Sequence, residues 1–241
     1  MPSYPTNSLN FLKLLDNHAN GTHQTLPVPA KVPLNIIVAG AGLGGLATAI
    51  ALARRGHRVT VYEQASTLGE VGAGIQMPSN STRLLLSWGL GPYLGDRVIE
   101  PASILFRRWQ SGEVIGHTRL VPDFRKNFDA PYYVIHRAHF HDALHRLALD
   151  LGVTVKVNSK VAEYDPAQPS LRLESGETYT ADLIVAADGL RSKARPTILK
   201  GADRVAKPTG FAAYRGVIGV EEIRAHPELA WLIDEPNLNL W

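Results

Sequence analysis

The stretch NIIVAGAGLGGLATAIALARRGHRVTVYEQ, residues Asn35 to Gln64, decides the fold. Leu34 to Ala39 is a short, nearly continuous apolar run, the pattern of a strand buried on both faces of a parallel sheet. Gly40, Gly42 and Gly45 follow in G-x-G-x-x-G spacing. Leu43, Leu46, Ala47 and Ile50 then recur at helical period and predict an amphipathic helix, which Gly56 is placed to end in a left-handed conformation. Arg58 to Glu63 alternates and is rich in β-branched residues, so it predicts the second strand. In this order the parts form a dinucleotide clamp. Gly40 permits the tight turn, Gly42 lets backbone N–H groups approach a pyrophosphate, and Gly45 lets helix and strand pack closely. The helix N-terminus offers partial positive charge to phosphates. Glu63 ends the second strand, where its carboxylate can accept from ribose hydroxyls and would repel a 2′-phosphate. These residues do not choose between NAD and FAD.

Composition narrows the chemistry. The chain has 241 residues, enough for one large or two small domains, and 45% hydrophobic with 20% charged residues is ordinary for a globular protein. A net charge of +3, with no long basic run, gives no support for nucleic acid or an anionic membrane as partner. The absence of cysteine excludes disulfides, thiolate metal sites and dithiol chemistry within the chain, so a redox function needs a bound cofactor. No apolar run reaches the roughly 18 residues of a transmembrane segment. The apolar patch Leu9 to Leu15 has neither a preceding basic region nor a small-residue cleavage site after it, so no signal peptide is read and the cytoplasm is expected. Residues 1–32 are expected to be a flexible tail, with Pro27, Pro29 and Pro33 favouring an extended linker.

Beyond Glu63 the sequence departs from a plain NAD domain, which would continue with a helix and a third parallel strand. A second glycine-containing loop, Val71 to Ile75, comes first, followed by a predicted helix in PSNSTRLLLSWGLG that Ser79 or Asn80 can cap. In YYVIHRAHFHDALHRLALDLG a strand runs into a helix with Arg137 at the junction. In LIVAADGLRSKAR a buried strand ends at Asp188-Gly189, followed by Arg191, Lys193 and Arg195.

Together with GAGLGGL, VYEQ, GEVGAGIQMPSNSTRLL and GFAAYRG, these motifs make the chain, from about Leu34 to its last residue, resemble the FAD-dependent aromatic hydroxylases, closest to the salicylate-hydroxylase-like branch. The resemblance implies FAD as cofactor, NADH or NADPH as co-substrate and a small aromatic substrate. It implies that Gly40, Gly42 and Gly45 hold the FAD pyrophosphate and that Glu63 binds the adenosine ribose. Ala73 and Gly74 would line the FAD, and Arg137 would contact its ribose and phosphate region. Asp188 and Gly189 correspond to the family's Asp-Gly motif near the pyrophosphate, which helps the nicotinamide nucleotide engage. Arg215 matches an active-site arginine that orients an acidic or phenolic substrate, a task suited to a guanidinium that forks onto carboxylate or phenolate oxygens.

Other readings stand beside these. Asp188 also reads as a turn cap, Arg137 as a surface residue at a helix start, and Arg215 as a surface arginine on a strand edge. His136, His139, His141 and His145 lack the H-E-x-x-H arrangement and any cysteine, so they read as incidental on a solvated helix face and no metal is expected. Trp88 and Trp109 read as core or sheet-packing residues.

The expected fold is α/β, a Rossmann-like FAD-binding parallel sheet with helices, interrupted by a mixed β-sheet substrate region. Residues 33–200 are assigned to the FAD domain, with inserted substrate-layer strands about 100–135, and residues 201–241 to the start of a substrate domain. Family members carry a Gly-Asp motif in their second half that holds the riboflavin end of FAD, and nothing after Gly189 matches it. The chain thus reads as the N-terminal half of a monooxygenase, expected to work as a homodimer, with a complementing C-terminal half, or as a non-catalytic nucleotide-binding fragment. A simple NAD dehydrogenase leaves GAGIQMPSN and Asp188-Gly189 unexplained.

Overall fold

The computed structural model describes residues 28–69, 72–200 and 207–241. The tail before residue 28, and with it any helical turn or signal segment, lies outside the described residues. The opening unit is β1 (Asn35–Ala39), α1 (Leu43–Ala53) and β2 (Arg58–Tyr62). Two further strands join it in register, β8 (Thr154–Lys156) beside β2 and β12 (Leu183–Ala186) beside β1. The result is a four-stranded, all-parallel sheet of order β12-β1-β2-β8.

β1 alternates between two cores, as the period of a strand requires. Ile36 and Val38 join a cluster with Leu46 and Ile50 of α1 and with Leu144 and Leu147 of α5 (Arg137–Asp150). Ile37 and Ala39 face the opposite way, into a smaller cluster with Tyr62, Leu171 and Leu173. That second face is covered by an antiparallel sheet of β9 (Val161–Asp165), β10 (Ser170–Leu173) and β11 (Thr178–Thr180). Each of the fully buried Leu and Ile side chains contributes about 1.5–3 kcal/mol. The buried face of α1 is Gly45, Leu46, Ala49 and Ile50, turned slightly from the expected stripe so that a glycine, which has no side chain, meets the sheet.

Two more sheets complete the architecture. β7 (Tyr133–His136) is flanked antiparallel by β3 (Gly74–Met77) and β4 (Val98–Ile99) and runs directly into α5, as the sequence predicts. The His136 side chain caps that helix by accepting from the Ala138 N–H. The hairpin of β5 (Ser103–Arg107) and β6 (Val114–Arg119) is extended by β13 (Leu238–Leu240), parallel to β5.

Three local expectations are corrected. The helix α2 (Ser79–Ser87) has Pro78 at its N-cap, and Ser79 does not cap it. The Ser79 hydroxyl instead donates to the Ala130 carbonyl, because burial beside that loop leaves the oxygen needing a partner. Trp109 is not a packing residue: it sits at the β5–β6 turn, 77% exposed, whereas Trp88 does pack against the main core. His141 is buried rather than solvated, since its ring nitrogen finds a backbone acceptor there.

The other end of α2 depends on one cation. Arg54, buried at the end of α1, donates to the Ser87 and Trp88 carbonyls at 3.1 and 2.8 Å. Burial holds its pKa below the usual guanidinium value, but the helix-end carbonyls and their dipole favour the charge. Arg54→Leu should cost about 2–3 kcal/mol by stranding those carbonyls, with Arg54→Lys in between, measured by urea denaturation. Equal midpoints for all three proteins would show that the contacts are dispensable.

Candidate dinucleotide site

At the C-terminal ends of β1, β2 and β12 the sheet opens into a cleft of about 740 Å³. β1 is the point from which the chain leaves to β2 on one side and receives β12 on the other. Such switch points are where open parallel sheets bind ligands. Gly40, Gly42, Glu63, Asp188 and Gly189 all line this cleft.

The glycine loop is shaped by close approach. Gly40 has φ +106°, its N–H donates to the Tyr62 carbonyl at 2.7 Å, and a Cβ there would overlap the Ala187 carbonyl. A Cβ on Gly45 would overlap the Gly40 carbonyl oxygen and lie 3.3 Å from the Ala187 methyl. Gly45 therefore packs behind the loop and does not line the cleft. Gly42 stands at the N-cap of α1 with open space where a Cβ would be, leaving its backbone accessible. Glu63 holds this loop to β2: one carboxylate oxygen accepts from the Ala41 N–H at 2.7 Å and the other from the Ala65 N–H at 2.8 Å. Each oxygen keeps a lone pair for a further donor.

The opposite wall is the turn after β12. Asp188 Oδ2 accepts from the Lys193 N–H at 2.8 Å, the Ala194 N–H at 3.3 Å and the Tyr164 hydroxyl at 3.1 Å. Burial works against its ionisation, but hydrogen bonds from Ser192, Lys193, Ala194 and Tyr164 outweigh it and hold the carboxyl below the usual range. Tyr164 is correspondingly raised, by burial first and by the Asp188 charge second. Asp188 thus does cap the next turn, and it does so inside the cleft. Arg191, Lys193, Arg195 and, from the other side, Lys160 also line the space, so cations outnumber the two carboxylates. That balance favours a polyanion.

The remaining sequence-predicted residues lie elsewhere. Ala73, Gly74 and Arg137 gather where β3 meets α5, with the Arg137 N–H donating to the Ala73 carbonyl at 3.0 Å. They do not line the cleft, although one turn along α5 His141 reaches the Ala41 carbonyl, which brings that helix against the glycine loop. Arg215 lies in an exposed segment without regular secondary structure and is not among the cleft residues. Tyr164 and Lys160 escape the sequence reading, and His141 enters it only as an incidental histidine. Only His141 carries a signal, since it shares a helix face with Leu144 and Ala148. Among the described residues no cluster of His, Asp and Glu is arranged for a metal, and no helix is long and apolar enough to cross a membrane.

Comparison with known proteins agrees with this geometry. Residues 38–85 match an NAD(P)-binding Rossmann-like domain. The FAD-dependent monooxygenase OpS4 of Beauveria bassiana is 35% identical over 87% of this chain and 49% of its own length. The 3-hydroxybenzoate 6-hydroxylase 1 of Aquipseudomonas alcaligenes is 36% identical over 82% of this chain and 51% of its own. Among solved structures, 2-methyl-3-hydroxypyridine-5-carboxylic acid oxygenase superposes with a TM-score of 0.61 at 34% identity, covering 69% of this chain and 42% of that one. CtdE, in complex with FAD and a substrate, superposes with a TM-score of 0.70 at 26% identity, covering 86% and 50%. By sequence and by fold, the chain is similar to proteins named FAD-dependent monooxygenase and 3-hydroxybenzoate 6-hydroxylase, and it spans about half the length of those relatives.

Proposed function

We propose that the cleft is the adenosine-pyrophosphate half of an FAD site, in a monooxygenase that hydroxylates a small phenolic or aromatic-acid substrate with NAD(P)H and O₂. One observation carries the reading: the glycine loop, Glu63 and Asp188-Gly189, from separate parts of the chain, converge on one cleft. The residues fit the group, because the positions of Gly40 and Gly45 are closed to any side chain while Gly42 is open to a ligand. The N–H groups at the start of α1 would meet the pyrophosphate. Glu63, already fixed by two backbone donors, would accept from the adenosine ribose hydroxyls with its remaining lone pairs. Lys160, Arg191, Lys193 and Arg195 would offset the phosphate charge, and Asp188 would hold the basic turn in place. When bound, FAD supplies the redox chemistry that couples NAD(P)H oxidation to oxygen transfer, and the protein supplies position and electrostatics. Arg215 is the proposed anchor for the substrate's carboxylate or phenolate.

A second reading, a nucleotide-binding unit without turnover of its own, is favoured by the place of Arg215, in an exposed segment without regular structure and outside the cleft. Titrating residues 1–241 with FAD, following flavin fluorescence and NAD(P)H oxidation together, separates the two. Micromolar binding with NADH or NADPH consumption supports the oxidoreductase. Binding without consumption supports the binding unit, whose activity a second copy or a complementing polypeptide would then have to restore. No binding removes both.

A further inference from the structure

The glycine loop is held from behind by His141, a residue to which the sequence motifs give no role at the cofactor. His141 lies on the buried face of α5, 5% exposed, with Nε2 2.7 Å from the Ala41 carbonyl oxygen. A carbonyl only accepts, so Nε2 carries the hydrogen and donates. Ala41 is itself buried, and its N–H is taken by Glu63 at 2.7 Å. Both polar groups of this residue, set between Gly40 and Gly42, are therefore fixed by side chains from two other elements. Flanked by glycines, the peptide would otherwise rotate freely. The carbonyl that His141 engages belongs to the same peptide unit as the N–H of Gly42, the N-cap of α1 on the cleft wall. A hydrogen bond accepted by one end of a peptide group polarises the donor at its other end.

We infer that His141 is a positioning residue for an anionic ligand: it fixes the plane of the Ala41–Gly42 peptide and strengthens the Gly42 N–H as a donor to a pyrophosphate. The inference rests on the dinucleotide reading of the cleft, and it assigns a task to a histidine that touches neither the ligand nor the solvent.

The test uses the ¹⁵N-labelled chain with His141→Leu, His141→Met and His141→Gln, the last keeping a donor of similar reach. FAD and, as a probe lacking phosphate, adenosine are the ligands. In the leucine and methionine variants the Gly42 amide proton should move upfield without ligand, and FAD should bind about tenfold more weakly, the worth of one hydrogen bond. Adenosine binding should be unchanged, and His141→Gln should stay within about threefold of the unmodified chain. The methionine variant carries the comparison if leucine does not fold. Unchanged FAD affinity with an unmoved Gly42 resonance overturns the inference. So does equal weakening of FAD and adenosine, or a glutamine variant as weak as leucine. Failure of the unmodified chain to bind FAD removes the dinucleotide reading itself, and the inference with it.

Discussion

Gly45→Ala is expected to lower the stability of the chain by about 3 kcal/mol, or about 6–12 °C in melting midpoint, and to abolish dinucleotide binding. The added methyl would overlap the Gly40 carbonyl oxygen, and it would also meet the Ala187 methyl at 3.3 Å. Neither neighbour is the far end of a flexible side chain. The helix must either lift from the sheet, losing contacts made by Leu46 and Ile50, or push Gly40 out of its close approach to Ala187. Gly44→Ala, one residue away, should act in the opposite direction. A Cβ at Gly44 meets nothing within 4 Å, and alanine is the better helix former, so a gain of up to about 1 kcal/mol is expected. Thermal melts of the two variants, with FAD titrations, check the pair. If both melted with the parent, the tight apposition of α1 and β1 would not be what shapes the loop.

Glu63→Ala is expected to weaken FAD binding about 100-fold, in line with about 1.5–3 kcal/mol for each hydrogen bond to a charged acceptor. Two effects combine. The Ala41 and Ala65 N–H groups lose their acceptor, which releases the glycine loop from β2, and the ribose hydroxyls lose theirs. Glu63→Gln separates them, because an amide keeps one accepting oxygen and turns an NH₂ toward the other N–H. Its affinity should fall between parent and alanine, read by flavin fluorescence. An alanine variant that loses stability but binds FAD undiminished would reduce Glu63 to a staple of the loop.

The clamp was legible because its physics is local. The apolar run of Leu34 to Ala39, the glycine spacing and the β-branched run of β2 each act within a few residues, and they predict the unit to within a residue at its ends. The residues alone make Asp188 a strand terminus, and only the resemblance sets it near the pyrophosphate, since its place on the cleft wall depends on β12 pairing with β1. The cover on the second sheet face went unread. β9, β10 and β11 are short, and their turns at Asp165-Pro166 and Ser175-Gly176 mark a hairpin ladder without saying where it packs. Tyr164 was invisible for the same reason: its partner Asp188 is brought to it only by that packing. His141 was misread because histidine is judged polar. Its position with Leu144 and Ala148 assigns it to the buried face, and the acceptor that makes burial tolerable comes from a loop far away in sequence. Arg215 shows the opposite limit, a residue matched by motif that its surroundings leave exposed.

The pairing of the edge strand β12 with β1 also bears on how the sheet is assembled. The glycine loop belongs to the first strand of the described chain, whereas the turn carrying Asp188 follows the last strand of the parallel sheet. The cleft therefore closes the longest loop in that sheet, an entropically costly step that parallel, non-local topologies defer. A ligand that touches both walls makes its full set of contacts only once this pairing has formed. Its binding energy falls on the native side of the barrier, so it slows unfolding and leaves the folding rate nearly unchanged.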